Sequence, residues 1–315
     1  MKPIKNLTEL VSRIGRNTSY RHGTNPSVDA AVSQLRDIGF VKLNHLVGSP
    51  VFDDMKASLN QRIEKDFEFN LPCLAQTKID NDRDQDLIAK NFLTSNDQLV
   101  ERNLTFCRDD VSSYDQMLAD FQPSSLTLPI LSDPMYYNLW LDPMVMEIVS
   151  SYIGFVPHMT EAYTRRNFPS SYKIMNHNWH RDTNHDKYLV KAFIFFTDCD
   201  IDTGAHHYIA GSIHDSRFRD KVYFTDQEIH SAWPYGSDDH IISTVPAGTI
   251  IIEDTRGLHK AGIPNRDYRD LGFAIFMPPN IFRPSRPLYY IKQSSHYEMS
   301  AMQKAFIPNK NIIPG

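Results

Sequence analysis

The chain changes character near residue 157, and this change is the strongest constraint on its fold. Residues 157–277 contain short runs rich in β-branched and aromatic residues, separated by Gly, Pro, Asn and Asp. The runs are MTEAYTRRNF, YKIMNHNWH, YLVKAFIFFTD, HHYIAG, ISTV, GTIIIED and GFAIFM. Many short strands with turn residues and few helices between them predict a double-sheet barrel or sandwich.

The sequence before this region favours helices. Ser27 is expected to cap a helix over VDAAVSQLRDI that ends at Gly39, and FVKLNHLV alternates like a short strand. Further helices are predicted over VFDDMKASLNQRIEKDF and over DPMYYNLWLDPMVMEIVSSYIG, a buried pair that ends at Gly154. Residues 75–125 are interpreted as loops and short helices, and PSRPLYYIKQ as an extended arm over the barrel.

No linker divides the chain, so one domain of 315 residues is expected. It would consist of a mainly helical portion (1–155), a β core (156–280) and a C-terminal arm (281–315). A mainly β fold with added helices commonly reaches this length as one unit.

Composition argues against several other classes of protein. The net charge of −5 and the short basic runs disfavour nucleic-acid binding. No signal peptide and no membrane span are expected, because no long apolar run is present. Cys73, Cys107 and Cys199 are odd in number and widely spaced, which favours a reducing compartment, the cytoplasm. No protein partner is evident.

The tetrapeptide Trp179-His180-Arg181-Asp182 is the first candidate for chemistry. On a strand, residues i and i+2 project from the same face, so His180 and Asp182 could direct a nitrogen and an oxygen at one metal ion. Taken alone, the pattern also fits a hydrogen bond at the end of a strand.

A second candidate lies in GTIIIEDTRGLHKAG, where an apolar strand is followed by His259. The alternative is a histidine in a surface loop. Arg269 then opens the strand RDLGFAIF, and its guanidinium suits a carboxylate. That partner could instead be a neighbouring acid, Asp267 or Asp270.

Two histidines and one carboxylate leave three positions open on a metal, as iron(II) oxygenases require for a cosubstrate and O₂. If 2-oxoglutarate chelates the metal, its C5 carboxylate needs a cation at some distance. Arg269 meets that need.

These segments resemble the phytanoyl-CoA dioxygenase-like iron(II)/2-oxoglutarate oxygenases. The resemblance covers roughly residues 27–280 and is strongest in WHRD, FIFFTDCDIDTGAHHYIAGSIHD and PAGTIIIEDTRGLHKAG. It implies a double-stranded β-helix of the jelly-roll or cupin-like kind, with N-terminal helices packed outside it. It also implies iron(II) at His180, Asp182 and His259, and 2-oxoglutarate at Arg269.

The chain departs from the family pattern in one place and leaves one rival open. Some members carry a hydroxyl residue two positions after the distal histidine, where this chain has Ala261. Arg266 is a rival for the cosubstrate arginine. Because Asp182 is intact, hydroxylation or a related oxidation is favoured over halogenation.

Other polar residues were weighed for the same site. Tyr163 and Lys191 lie on the strands before and after the first motif and could reach 2-oxoglutarate or substrate. His206, His207 and His214 are interpreted as structural or as lining the substrate channel. His177 and His185 are interpreted as solvated loop residues, with steering of a polar substrate as the alternative. His296-Tyr297-Glu298 repeats the His-x-acid pattern, but it lies beyond the barrel strands.

The sequence therefore predicts a dioxygenase that uses iron(II), 2-oxoglutarate and O₂ to oxidise a small molecule, releasing succinate and CO₂. Polar residues in NHDKY and AHHYIAGSIHD favour a polar substrate over a fatty chain. The alternatives are a ligand-binding barrel without catalysis, a zinc-dependent hydrolase and a cupin-type isomerase.

Overall fold

The computed structural model describes residues 25–65, 72–73, 92–93, 113–121, 125–128, 133–169, 175–182, 189–278 and 289–314. Several sequence predictions fall outside these ranges. They concern most of the loops and short helices expected over 75–125, the position of His185, and part of the C-terminal arm.

Helices occur on both sides of the β region in the described part of the chain. They are α1 (Pro26–Ile38), α2 (Pro50–Glu64), α3 (Tyr114–Phe121), α4 (Pro134–Trp140), α5 (Pro143–Ile153), α6 (Asp226–Ala232), α7 (Gln293–Glu298) and α8 (Ala301–Phe306).

The strands are mostly short. They are β1 (Phe40–Leu43), β2 (Pro72–Cys73), β3 (Phe92–Leu93), β4 (Ser125–Leu128), β5 (His158–Asn167), β6 (Trp179–His180), β7 (Val190–Phe195), β8 (His207–Ile209), β9 (Tyr223–Phe224), β10 (His240–Ile242), β11 (Ile250–Asp254), β12 (His259–Lys260), β13 (Arg269–Met277), β14 (Ile291–Lys292) and β15 (Ile312–Ile313).

Two mainly antiparallel sheets form the core of the fold. The larger has the strand order β1-β11-β7-β13-β5-β4-β3-β2, and the smaller has the order β10-β8-β12-β6-β9. From β5 to β8 and again from β10 to β13 the chain passes back and forth between these sheets. This alternation is the double-stranded β-helix, so the predicted fold class is confirmed.

Successive side chains of strand β13 point to opposite faces of the larger sheet. Ala274 and Phe276 belong to the core shared with the helices, whereas Leu271, Phe273 and Ile275 line a cavity between the sheets. Gly272 permits close packing on the helical side, because an added Cβ would lie 3.2 Å from Trp140. The helices thus cover the outside of the sheet and leave its inside for a site.

The N-terminal portion differs from the sequence prediction in three details. Asn25, not Ser27, caps α1, because its side chain accepts a hydrogen bond from the Ser27 backbone N–H. The strand expected over FVKLNHLV ends at Leu43. This portion also contributes strands to the larger sheet, since β1 pairs with β11 and β4 pairs with β5.

In the predicted extended arm PSRPLYYIKQ, the described residues before α7 are extended and include β14. Residues 289–314 contain two helices, α7 and α8, and the short parallel pair of β14 with β15. The Tyr289 hydroxyl donates a 2.6 Å hydrogen bond to the Met159 carbonyl, which attaches the segment to the start of β5. Within the described ranges, no helix combines the length and apolar character needed to cross a membrane.

Candidate metal centre

Pairing of β6 with β12 brings the two candidate histidines together. His259 lies directly opposite His180 in the register of the two strands, and their ring centroids are 4.2 Å apart. His259 is only 3% exposed, so it is not a surface-loop histidine. The smaller sheet therefore places both imidazoles side by side.

Asp182 lies beside the two imidazoles, but it does not lie on the strand where the sequence placed it. Strand β6 ends at His180, so Asp182 lies beyond the strand rather than on it. Its backbone N–H donates a 2.8 Å hydrogen bond to the Thr255 carbonyl. That bond holds the chain after β6 against the segment that follows β11.

Both imidazoles are oriented by their own backbone. His180 Nδ1 lies 2.8 Å from the Asn178 carbonyl oxygen, and His259 Nδ1 lies 2.9 Å from the Gly257 carbonyl oxygen. A carbonyl only accepts, so each Nδ1 carries the proton and each Nε2 keeps its lone pair for a metal. Burial lowers the pKa of His259 to about 3 and lowers the pKa of His180, which keeps both rings neutral.

The three side chains form a set that could hold one ion. His180 Nε2 lies 4.0 Å from Asp182 Oδ1, and His259 Nε2 lies 3.7 Å from Asp182 Oδ2. All three ligand atoms lie within 4.8 Å of one another, and within the described ranges no other group of His, Cys, Asp or Glu does so. Metal bonds of about 2.0–2.2 Å can meet at a point between them after small side-chain movements. Two neutral imidazoles and a carboxylate also suit iron(II) chemically.

Lys191 contacts the candidate ligand carboxylate. Its Nζ lies 2.6 Å from Asp182 Oδ2, and both side chains are mostly buried. Burial alone would raise the pKa of Asp182, but the charge of Lys191, its hydrogen bond and the two neighbouring imidazoles together outweigh burial and hold this pKa well below its usual range. Lys191 thus lies at the site with its ammonium directed at Asp182, and its contact with 2-oxoglutarate or substrate stays a prediction.

A cavity of about 400 Å³ opens beside the three ligands, between the two sheets. Its lining residues come from both sheets and from the loops after them: Glu161, Tyr163, Arg165, Asn167, Asn176, His180, Asp182, Lys191, Phe193, His206, Tyr223, His259, Ala261, Arg269, Leu271, Phe273 and Ile275. A five-carbon dicarboxylate and a small substrate fit within this volume.

Arg269 enters this cavity as a buried cation. Its Nη2 donates a long 3.4 Å hydrogen bond to the Asn167 side chain, and its Nε and Nη1 have no partner among the described residues. It does not pair with Asp270, whose carboxylate binds Arg166 on the other face of β13. A buried guanidinium with free donors fits an incoming carboxylate.

The rival arginine lies elsewhere. Arg266 is largely exposed and pairs with Asp200 at 3.0 Å and with Asp202 at 3.2 Å. It does not line the cavity. Its charge is therefore already matched at the surface.

Most of the other residues that the sequence singled out near the motif line the cavity, and one is buried elsewhere. Tyr163 and Ala261 line the cavity, and the Tyr163 hydroxyl accepts a 3.2 Å hydrogen bond from Arg165. His206 also lines it, with Nε2 2.9 Å from Glu253, a buried carboxyl whose pKa burial raises to about 7. The interpretation of His177 as a solvated loop residue is wrong, because it is buried.

Two further histidines are structural. His207 Nδ1 lies 2.9 Å from His240 Nε2 outside the cavity, and His214 Nε2 donates to the Arg36 carbonyl. The second His-x-acid pattern, at His296, lies on α7 and belongs to no metal-competent group of described residues.

Sequence reasoning missed several cavity residues, and a simple signal could have found them. Glu161, Arg165 and Asn167 lie at intervals of two from Tyr163 on the same strand, so all four share one face. The sequence analysis singled out Tyr163 alone. Glu253 required the fold, because nothing local distinguishes it from a strand-end acid.

The chain is similar in fold to solved structures of known proteins. No protein-family model and no curated protein matches it. A solved structure of the epimerase SnoN in complex with Fe³⁺, α-ketoglutarate and nogalamycin RO is similar, with a TM-score of 0.51 and 12% sequence identity, over 81% of this chain and 85% of SnoN. HygX from Streptomyces hygroscopicus, with nickel and 2-oxoglutarate bound, has a TM-score of 0.48 and 14% identity, over 84% of this chain and 90% of HygX. The chain therefore has the fold seen in SnoN.

Proposed function

We propose that this protein is an iron(II)- and 2-oxoglutarate-dependent dioxygenase, with His180, Asp182 and His259 as the iron ligands. One observation carries the proposal. Two neutral imidazoles and a carboxylate converge at the wall of a cavity that also contains Arg269, a buried arginine with unpartnered donors. The SnoN structure supports it, since a protein of the same fold is described with iron and α-ketoglutarate.

Iron(II) with 2-oxoglutarate and O₂ supplies the oxidation of a C–H bond, and the products include succinate and CO₂. The protein's own residues bind and orient the reactants. Arg269 binds the C5 carboxylate of 2-oxoglutarate, and Tyr163 lies where it can contact the same molecule. Phe193, Leu271 and Phe273 give the cavity apolar walls that exclude water from the reacting atoms.

The proposed subfamily and substrate class follow from the sequence resemblance. We propose that the protein is related to the phytanoyl-CoA dioxygenase-like enzymes and acts on a small polar molecule in the cytoplasm. Hydroxylation or a related oxidation is favoured over halogenation, because the ligand carboxylate Asp182 is present. Among proteins of this fold SnoN is described as an epimerase, so another oxidation outcome at the same metal centre is the variant to compare.

The test is formation of succinate and uptake of O₂ by the protein supplied with iron(II), ascorbate and 2-oxoglutarate. Wild type should form succinate, and candidate substrates should stimulate it, whereas Asp182→Ala and His259→Ala should not respond. Thermal stabilisation by 2-oxoglutarate with a redox-inert metal checks binding separately. Absence of both turnover and stabilisation would instead favour a zinc hydrolase, a cupin-type isomerase or a ligand-binding barrel.

A further inference from the structure

Strand β5 presents a polar wall to a cavity that is otherwise largely apolar on this sheet. Its inward residues are Glu161, Tyr163, Arg165 and Asn167. The neighbouring strand β13 presents Leu271, Phe273 and Ile275 beyond Arg269. 2-Oxoglutarate bound at Arg269 occupies the end of this polar wall near Asn167. The end near Glu161 is therefore available to a second molecule.

Glu161 lies at the metal end of the wall. It is opposite Ile275, which in turn is opposite Lys191, the residue whose ammonium contacts Asp182. Arg269 is opposite Asn167, six residues further along β5. That separation is about 20 Å along a strand, so a five-carbon cosubstrate that runs from Arg269 to the metal leaves Glu161 uncovered.

Glu161 is an acceptor with no donor. Among the residues that the structure describes, it makes no hydrogen bond and no ion pair, and the nearby Lys191 ammonium is 2.6 Å from Asp182 instead. Burial raises the pKa of Glu161, which reflects the cost of holding its charge in the cavity wall. A carboxylate that lines a cavity without a protein donor can accept hydrogen bonds from a ligand.

We propose that Glu161 is a specificity-determining residue that binds a protonated amine of the prime substrate. The inference rests on the proposed function, because it places the substrate beside the same metal centre. An ammonium forms charge-assisted hydrogen bonds that offset the desolvation of the carboxylate. Ile275 and Phe273 lie on the adjacent strand and contact the carbon chain that carries the amine.

The experiment uses three probes of equal length: butylammonium, 1-butanol and butyrate. Their dissociation constants are measured on the full chain loaded with zinc and 2-oxoglutarate. Wild type should bind butylammonium about tenfold more tightly than 1-butanol, a difference typical of one charge-assisted bond, and should bind butyrate most weakly. Glu161→Gln should abolish the preference for the ammonium, and Glu161→Lys should reverse it in favour of butyrate.

Matched measurements separate this inference from the function on which it rests. Glu298→Gln, an exposed change on α7, should keep the wild-type order of probes. Glu161→Gln should also keep wild-type affinity for zinc and 2-oxoglutarate. Equal binding of the three probes by wild type would overturn the inference alone. So would an unchanged probe order in Glu161→Gln accompanied by weaker zinc binding, because Glu161 would then act through Lys191. Failure of wild type to bind 2-oxoglutarate would overturn the proposed function and this inference together.

Discussion

Arg269 projects from the first position of β13 into the cavity, where its Nε and Nη1 donors have no partner among the described residues. Arg269→Ala should raise the dissociation constant of 2-oxoglutarate about a hundredfold, or about 2.7 kcal/mol, as expected when a buried charge pair loses one member. Calorimetry on the zinc-loaded protein measures this change. Arg266→Ala is the matched control and should bind as wild type does. The reverse pattern would reassign the cosubstrate arginine.

In the metal-free protein, the Lys191 ammonium neutralises the mostly buried carboxylate of Asp182. Lys191→Met should therefore destabilise the metal-free protein by roughly 2 kcal/mol, less than for a fully buried pair because both groups are partly exposed. Zinc should then raise the Tm of the variant more than that of wild type, since the ion restores the missing positive charge. Lys191→Arg should resemble wild type. An equal zinc-induced rise in Tm for the methionine variant would contradict this role.

At the scale of elements, a buried arginine joins the β-helix to the helix outside it. Arg166 on β5 donates to Asp270 on β13 at 2.7 and 2.8 Å, and to Glu64 and Asn60 on α2 at 2.6 Å each. Its side chain is fully buried. Strands β5 and β13 also carry cavity residues. The hydrogen bonds of Arg166 therefore stabilise the outer face of the sheet whose inner face forms the site.

Arg166→Met should destabilise the protein by about 3–5 kcal/mol, because it leaves the Asp270 carboxylate buried without its partner. Chemical denaturation measures the loss. The double variant Arg166→Met with Asp270→Asn should lose less than the sum of the two single variants, since it removes both charges. Additive losses would mean that the two side chains contribute independently.

Local patterns were sufficient to predict most elements, because a period of two marks a half-buried strand and Gly marks a helix end. Gly39 and Gly154 end their helices as expected, with φ of 80° and 92°. The same patterns placed His180 and His259 each at the edge of a β run, but only the pairing of β6 with β12 shows that they are neighbours. They could not reveal the contact of Lys191 with Asp182, nor the correct cap of α1. Those depend on loop geometry and tertiary pairing.

At the scale of the whole molecule, several histidines are held neutral by burial. It lowers the pKa of His206 and His207 to about 3 and that of His240 to about 4. In the unfolded chain these rings titrate near 6.5, so unfolding takes up protons at pH values between the folded and unfolded pKa. Glu253 acts in the opposite sense: its folded pKa of about 7 exceeds its unfolded value, so acidification stabilises through that group.

The buried histidines together outweigh Glu253, so the metal-free protein should lose a few kcal/mol of stability between about pH 7 and pH 5. Urea unfolding at the two pH values measures the loss. Glu253→Gln should steepen it by removing the opposing contribution. Stability that is unchanged or higher at the lower pH would contradict the assignment of these histidines as neutral in the fold.

The central claim concerns three side chains that share one metal ion and leave room for 2-oxoglutarate. A crystal structure grown with manganese(II) and 2-oxoglutarate, with anomalous data, tests it most directly. We expect one anomalous peak at about 2.0–2.3 Å from His180 Nε2, Asp182 and His259 Nε2, with the C5 carboxylate of 2-oxoglutarate on Arg269. A metal bound at other residues, or 2-oxoglutarate bound away from Arg269, would contradict the account.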